Sequence, residues 1–233
     1  MLENGAQVDT KDNEGCTPLW YAAANGQTDV VHALLSAGAD VNSQEKDGVS
    51  VLGFASQKGH TDIANMLLEK GAEVKTRDNE GRTALWFAAL KEQTDVVRVL
   101  VSAGADVNTQ RNDGWSALSV ASQKGHTDIA NMLLEKGAEV ETRDNKGRTA
   151  LLFAAANGRT DTVRALVSAG ADVNSQEKDG VSVLGFASHE GHTDIANMLL
   201  EKGAEVETRD NEGRTALWFA WSPVPFTAPN YSE

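Results

Sequence analysis

The sequence predicts an all-α protein, an α-solenoid of helix-turn-helix pairs with β-hairpin-like loops in a curved stack, and three observations predict it. Glycine recurs every 33 residues, at Gly15, Gly48, Gly81, Gly114, Gly147, Gly180 and Gly213, with no insertion between them. Each of these glycines opens the same succession of turn residues and apolar residues at helical spacing. The stretch "GHTDIANMLLEKGAEV" stands unchanged from Gly59, from Gly125 and from Gly191, so the strongest identity spans two repeats and not one.

The elements of one repeat follow in order. One variable residue after the glycine precedes Thr or Ser (Thr17, Ser50, Thr83, Ser116, Thr149, Ser182, Thr215), then a small or apolar residue and a leucine. That is the start of a capped helix, because the hydroxyl can accept from the free amides of the first turn; Pro18 sits where a missing N–H costs nothing. A glycine at 26, 59, 125, 158 or 191 separates this helix from a second one. The second begins Thr-Asp, whose carboxylate suits the positive end of the helix dipole, and runs through "VVHALL" or "IANMLL". It stops before Gly38, Gly71, Gly104, Gly137, Gly170 and Gly203, where a left-handed C-terminal residue is expected. The polar remainder, "ADVNSQEKDG" or "AEVETRDNEG", reads as an extended hairpin-like connection.

Composition bounds the function. The chain of 233 residues is 40% hydrophobic and 24% charged, enough for a substantial core. Its longest apolar runs, such as "ALWFAAL", are far shorter than a bilayer span requires, so no membrane helix is expected. The start "MLENGAQVDT" shows no secretory pattern, and a single cysteine, Cys16, forms no internal disulfide; an intracellular, cytoplasmic protein is expected. A net charge of -13 argues against nucleic acid, whose phosphates need clustered Lys and Arg.

The segment "GCTPLWYAAANGQTDVVHALLSAGADVN" resembles the ankyrin repeat, in its Thr-Pro-Leu, its paired alanines, its turn glycine and its Gly-Ala-Asp-Val-Asn tail. The resemblance covers a single domain over 1–221: a partial repeat 1–11, complete repeats 12–44, 45–77, 78–110, 111–143, 144–176 and 177–209, and a partial repeat 210–221. Residues 222–233 form a Pro-containing tail, expected to fold back over the last repeat. The family implies protein binding through hairpin tips and inner helices, with no cofactor.

The chain departs from the family in one column. The histidine that usually follows the leucine is absent, and Trp20, Gly53, Trp86, Ser119, Leu152, Gly185 and Trp218 take its place. Bulky and small residues alternate there, so a Trp or Leu is expected to face a Gly or Ser of the adjoining repeat. Two indoles would overfill the space and two glycines would leave a void, which makes a pair of repeats the packing unit. Val49 to Gly81 and Val181 to Gly213 differ only where Gln57, Lys58 and Lys75 become His189, Glu190 and Glu207, as expected of tandem duplication. In the third repeat "LKEQ" replaces "ANGQ" and puts Glu92 where a residue with positive φ belongs.

Catalytic and metal chemistry find little purchase. His60, His126 and His192 precede Thr-Asp, but a solenoid spreads equivalent groups along a line, whereas a catalytic site needs groups that converge. His189 and His192 are three residues apart without a third ligand, and Cys16 has no nearby base. No enzyme activity, metal or cofactor is expected.

The function expected is that of a scaffold that holds another protein on its concave face and hairpin tips. Trp115 stands where sister repeats have Val49 and Val181, and Leu90-Lys91 replaces Ala24-Asn25 and Ala156-Asn157. Together with Arg82, Lys124 and Arg148, and with Val49, Asn112 and Asp113 on the hairpins, they give an apolar centre rimmed by positive charge. The alternative is a structural element whose copies associate end to end, because the first fragment aligns with the end of a second helix and leaves a stacking face open.

Overall fold

The computed structural model describes residues 7–221, and in them thirteen α-helices and no strand. Inner helices alternate with outer ones. The inner set is α1 (Pro18–Ala24), α3 (Val51–Lys58), α5 (Ala84–Leu90), α7 (Ala117–Lys124), α9 (Ala150–Ala156), α11 (Val183–His189) and α13 (Ala216–Trp221). The outer set is α2 (Thr28–Ser36), α4 (Thr61–Glu69), α6 (Thr94–Ser102), α8 (Thr127–Glu135), α10 (Thr160–Ser168) and α12 (Thr193–Glu201). The chain is thus all-α, built of helix-turn-helix pairs as expected. The expected backfolding tail of residues 222–233 lies outside the described residues.

The hydroxyl caps form as the sequence requires. Thr17 Oγ1 accepts from the Trp20 amide at 3.2 Å, Ser50 Oγ from Gly53 at 3.0 Å and Thr149 Oγ1 from Leu152 at 3.3 Å. The outer helices α2, α4, α6, α10 and α12 start without a side-chain cap and carry instead an aspartate in the first turn, such as Asp29 or Asp62, against the helix dipole. Each ends on a glycine with φ near +90°, for example Gly38 and Gly170.

Two compact units divide the chain, one of residues 1–117 with 135–138 and the other of 118–134 with 139–233. In the first, α1 packs on α3 and α3 on α5, while α2, α4 and α6 line up behind them. Leu19, Leu52 and Leu85, one per inner helix, are buried at its centre with Val31, Leu67 and Leu100 of the outer helices. The second unit repeats the plan with α9, α11 and α13 in front of α10 and α12. Its core is built on Leu151, Phe153, Leu166, Leu184 and Leu199.

The contact between bulky and small residues differs from the expected one in its partner. Trp20 lies on Phe54, ring centroids 4.2 Å apart. A Cβ on Gly53 would in turn meet Phe87 Cδ2 at 3.6 Å, and one on Gly185 would meet Phe219 Cδ2 at 3.4 Å. The column of Trp20 in one repeat thus faces the column of Phe54 in the next. One residue along a helix is about 100° of rotation, which carries the indole column to one side of the repeat and the phenylalanine column to the other.

The two-repeat period also appears in the hairpins. In the second, fourth and sixth repeats they close by single antiparallel bridges, Gln44 to Ser50, Gln110 to Ser116 and Gln176 to Ser182. In the third, fifth and seventh an ion pair does this work. Arg82 Nε reaches Asp78 Oδ2 at 2.5 Å, Arg148 Nε reaches Asp144 Oδ2 at 2.7 Å and Arg214 Nε reaches Asp210 Oδ2 at 2.6 Å. Hairpin is tied to hairpin inside each unit by backbone bonds, Lys46 N–H to Glu14 O, Asn79 to Asp47 and Asn112 to Glu80 in the first, Lys178 to Lys146 and Asn211 to Asp179 in the second.

Candidate functional site

With the family's histidine missing from its column, residues of another column, at the start of the outer helices, tie repeat to repeat. His60, at the start of α4, places Nε2 3.3 Å from the Ala24 carbonyl at the end of α1, and His192 does the same to Ala156. Arg159 stands at the equivalent position and donates from Nε to the Gln123 carbonyl at 3.1 Å. His60 and His192, two of the histidines that precede Thr-Asp, thus brace the stack. Gly26 is held to glycine by this brace as well as by its φ of +69°, since a Cβ there would lie 2.8 Å from His60 Cε1.

The hairpin of the fourth repeat breaks a rule that all the others obey. Its first residue belongs to a column that reads Asp12, Glu45, Asp78, Arg111, Asp144, Glu177, Asp210. The carboxylate is structural: Asp78 Oδ1 accepts from the amides of Glu80 and Arg82 at 3.0 and 2.7 Å, and Asp144 Oδ1 from those of Lys146 and Arg148 at 2.9 and 2.8 Å. Arg111 cannot accept. Asp113 takes over part of the task, receiving the Trp115 amide at 3.3 Å, and both its oxygens are held by Arg111, at 3.0 Å from Nε and 2.7 Å from Nη2.

Released from the hairpin turn, the Arg111 head spreads over its neighbours. Its guanidinium carbon lies 5.3 Å from the Trp86 ring centre, and that of Arg82 lies 5.8 Å from the same ring and 4.9 Å from Phe87. Glu80 joins the two cations, 3.4 Å from Arg82 Nη1 and 3.7 Å from Arg111 Nη1. Cation–π contacts of this kind contribute about 0.5–2 kcal/mol each, and two around one indole hold its position firmly. Leu90 lies one helical turn beyond Trp86 and so shares its face of α5.

The residues singled out from the sequence fall as follows. Arg82 and Asp113 meet in the cluster just described, and Asn112 adjoins it, its backbone amide donating to the Glu80 carbonyl at 2.9 Å. Trp115 follows on the same hairpin, half-buried, and its carbonyl accepts from the Arg111 amide at 2.7 Å. Leu90 is half-buried and Lys91 exposed at the end of α5. Val49 packs elsewhere, its Cγ1 3.3 Å from where Gly53 would carry a Cβ. Lys124 and Arg148 belong to the second unit, and Arg148 is buried against Asp144.

The arginines of the expected positive rim are ion-paired. The Arg82 and Arg111 side chains are 22% and 24% exposed, whereas those of Glu80 and Asp113 are 55% and 43% exposed. Carboxylates face outward and the cations stand behind them. Arg111 was the residue to find, and its signal is plain in the repeat alignment, one base in a column of acids.

Elsewhere the titrating groups serve the frame. Tyr21 donates its hydroxyl to Asp12 Oδ2 at 2.6 Å, which pushes the phenol up to about 12 and holds the Asp12 carboxyl below its ordinary value. Burial, with the Asp12 and Glu45 carboxylates, pushes the Cys16 thiol up, away from the reactive thiolate. Burial likewise raises the Glu177 carboxyl. Among the described residues no group of three His, Cys, Asp or Glu could hold a metal ion, and no helix is long and apolar enough to cross a membrane.

Comparison with known proteins adds the family. Family models match as "Ankyrin repeats (3 copies)" at 34–111, 52–144, 107–177 and 151–222, and as "Ankyrin repeat" at 14–46. No curated protein matches the chain. Among solved structures, the ankyrin repeat domain of Bcl-3, described as a unique member of the IkappaB protein family, is 28% identical. It covers 90% of this chain and 96% of its own, with a TM-score of 0.79. The ankyrin repeat domain of human ASB11 is 29% identical over 89% of this chain and 93% of its own, with a TM-score of 0.82. Repeat length, capped helix pairs, bridged hairpins and these matches agree, and the chain belongs to the ankyrin repeat family.

Proposed function

We propose that this chain is a protein-binding scaffold without catalytic activity, and that its recognition surface is centred on the fourth hairpin and the third inner helix, on Arg111, Asp113, Trp115, Arg82 and Leu90, around the buried Trp86. Ankyrin repeats are protein interaction modules, and that much holds for the family. One observation carries the rest. At a hairpin whose sister copies keep an acid and a valine, this repeat has Arg111 and Trp115, and the change reorganises the ion pairs around Trp86.

Aromatic and arginine side chains of this sort supply most of the energy of protein interfaces. The partner lays an apolar side chain against Trp115 and Leu90 and brings a basic one to Glu80 or Asp113, in keeping with the net charge of -13. The test is a hairpin exchange. Residues 111–115, Arg-Asn-Asp-Gly-Trp, are replaced by Glu-Lys-Asp-Gly-Val, the sequence of 45–49, which already folds at two places in the chain. A partner captured by the unaltered chain and lost from the exchanged one supports the proposal. Equal capture by both removes the central patch from it.

A second reading, association of copies through their ends, is favoured by one observation. The large apolar side chains left exposed among the described residues, Tyr21, Val30, Leu200, Val206, Leu217, Trp218 and Trp221, all lie in α1 and α2 or from the end of α12 to α13.

A further inference from the structure

The inner face of the second to fourth repeats carries opposite charge along its two edges. A hairpin precedes each inner helix, so the hairpin tip and the far end of the helix mark those edges. The residue before the repeat glycine is an acid at Asp47, Glu80 and Asp113. Backbone bonds from the Asn79 amide to the Asp47 carbonyl and from the Asn112 amide to the Glu80 carbonyl set these tips side by side. Asp47 is exposed, as are about half of the Glu80 and Asp113 side chains. At the other edge Lys58 ends α3 and Lys91 caps α5, both exposed. Lys58 Nζ stands 5.5 Å from the Phe54 ring centre, and Glu92 follows Lys91 in the turn beyond the cap. Phe54, Gln57 and Leu90 lie half-buried between the rows. The fold does not require these signs: the sister positions of Lys58 and Glu80 hold Glu190 and Lys146, at the end of α11 and on a hairpin of the same form.

We propose that this face takes an amphipathic helix of a partner protein laid along the stack, its basic edge against Asp47, Glu80 and Asp113 and its acidic edge against Lys58 and Lys91. The proposal rests on the central patch above and states the chemistry of its partner. Dimensions favour a helix. An inner helix of 7 residues such as α5 is about 10 Å long, and an α-helix with its side chains is about 10–12 Å across, so one helix fills the space between the rows. Neighbouring inner helices lie about 8–10 Å apart and a heptad of α-helix rises about 10 Å, so one side chain per heptad on each edge keeps step with the repeats. Apolar side chains between those edges meet Phe54, Leu90 and Trp115, in the manner of a helix bound in a groove. A wholly basic segment is drawn by the net charge of -13 but meets Lys58 and Lys91 at close range. Net charge thus governs encounter, and the opposed rows govern choice of partner.

The experiment is selection from a displayed library of three-heptad helices with a fixed leucine stripe, each position of the two edges randomised to Lys or Glu. The bait is the full chain at physiological salt, where long-range attraction is screened. Members with one basic and one acidic edge are expected to be enriched about tenfold over members with two basic edges, several exposed ion pairs each contributing a little. Either assignment of the edges serves, because turning a helix end for end exchanges them. With Lys58→Glu and Lys91→Glu combined, the preference is expected to move to two basic edges; both positions are exposed, and circular dichroism checks the fold. Two basic edges selected by the unaltered chain, no enrichment at all, or a preference that the double variant leaves unchanged overturns the proposal, and leaves the central patch to the hairpin exchange described above. The chain with residues 111–115 exchanged is expected to select the same pattern with weaker enrichment, having lost Trp115. Undiminished enrichment there removes the central patch and upholds the charged edges.

Discussion

The guanidinium of Arg111 lies 5.3 Å from the ring centre of Trp86, and both oxygens of Asp113 hold it there. Every other repeat has at this place a carboxylate that accepts backbone amides. Returning the acid by Arg111→Asp is therefore expected to leave stability unchanged or raise it by up to about 1 kcal/mol, the contribution of a recovered hydrogen bond. Partner binding is expected to fall in the same variant. Denaturant unfolding and a binding assay on one sample measure both, and a loss of stability above 1 kcal/mol would show that the arginine had become structural.

Glu92 is the non-glycine residue with positive φ among the described residues, at 59°, in the turn where its counterparts are Gly26, Gly59, Gly125, Gly158 and Gly191. The left-handed region costs an ordinary L-residue about 1–2 kcal/mol. Glu92→Gly is expected to stabilise by about 1 kcal/mol, read as a higher urea midpoint at constant slope.

The Asp144–Arg148 pair is buried on both sides, whereas Arg82 and Arg214 keep about a fifth of their side chains in water. Removing one member of a buried pair leaves the other charge unpaired in a poorly solvated place, at about 3–5 kcal/mol. Arg148→Ala is expected to destabilise by about 3 kcal/mol, and Arg82→Ala by less than half as much. Equal losses would mean that burial does not set the difference.

A Cβ on Gly53 would find Val49 Cγ1 and Ser50 Oγ at 3.3 Å and Phe87 Cδ2 at 3.6 Å. One methyl group can be fitted there by small shifts, and its helix propensity offsets them, so Gly53→Ala is expected to stay within about 1 kcal/mol of the parent. Gly53→Leu overfills the same space and is expected to cost about 1–3 kcal/mol in thermal unfolding.

Tyr21 donates to Asp12 only while it is neutral, and its folded value of about 12 lies above the roughly 10 of an unfolded tyrosine. Its contribution is therefore complete below about pH 10 and is lost as the pH rises through about 12. Comparison of the ultraviolet phenolate titrations of the parent and Tyr21→Phe isolates this group. A difference titration centred near 10 would show the hydrogen bond absent in solution.

Much of this could be read from the residues alone. The 33-residue spacing of Gly15, Gly48 and their successors sets the helix pairs and their caps, because capping and turn conformations are local demands on residue type. Glu92 was legible for the same reason. The partner of Trp20 was not. Alternation in one column shows that size is compensated across repeats, but which column faces it depends on how each helix is rotated about its axis. The charge at the central patch was read from the sequence as a positive rim, and what the sequence could not show is that Asp78 and Asp144 bind Arg82 and Arg148.

Sequence by itself determined the repeat, the all-α class, the caps and the period of two, all of which follow from backbone conformations favoured within a few residues. Only the tertiary structure decided that Trp20 meets Phe54, that His60 joins α4 to the end of α1, and that Arg111 leaves its hairpin for Trp86. Those contacts join residues about 25 to 36 apart in the chain, and what brings them together is the packing of one helix pair on the next.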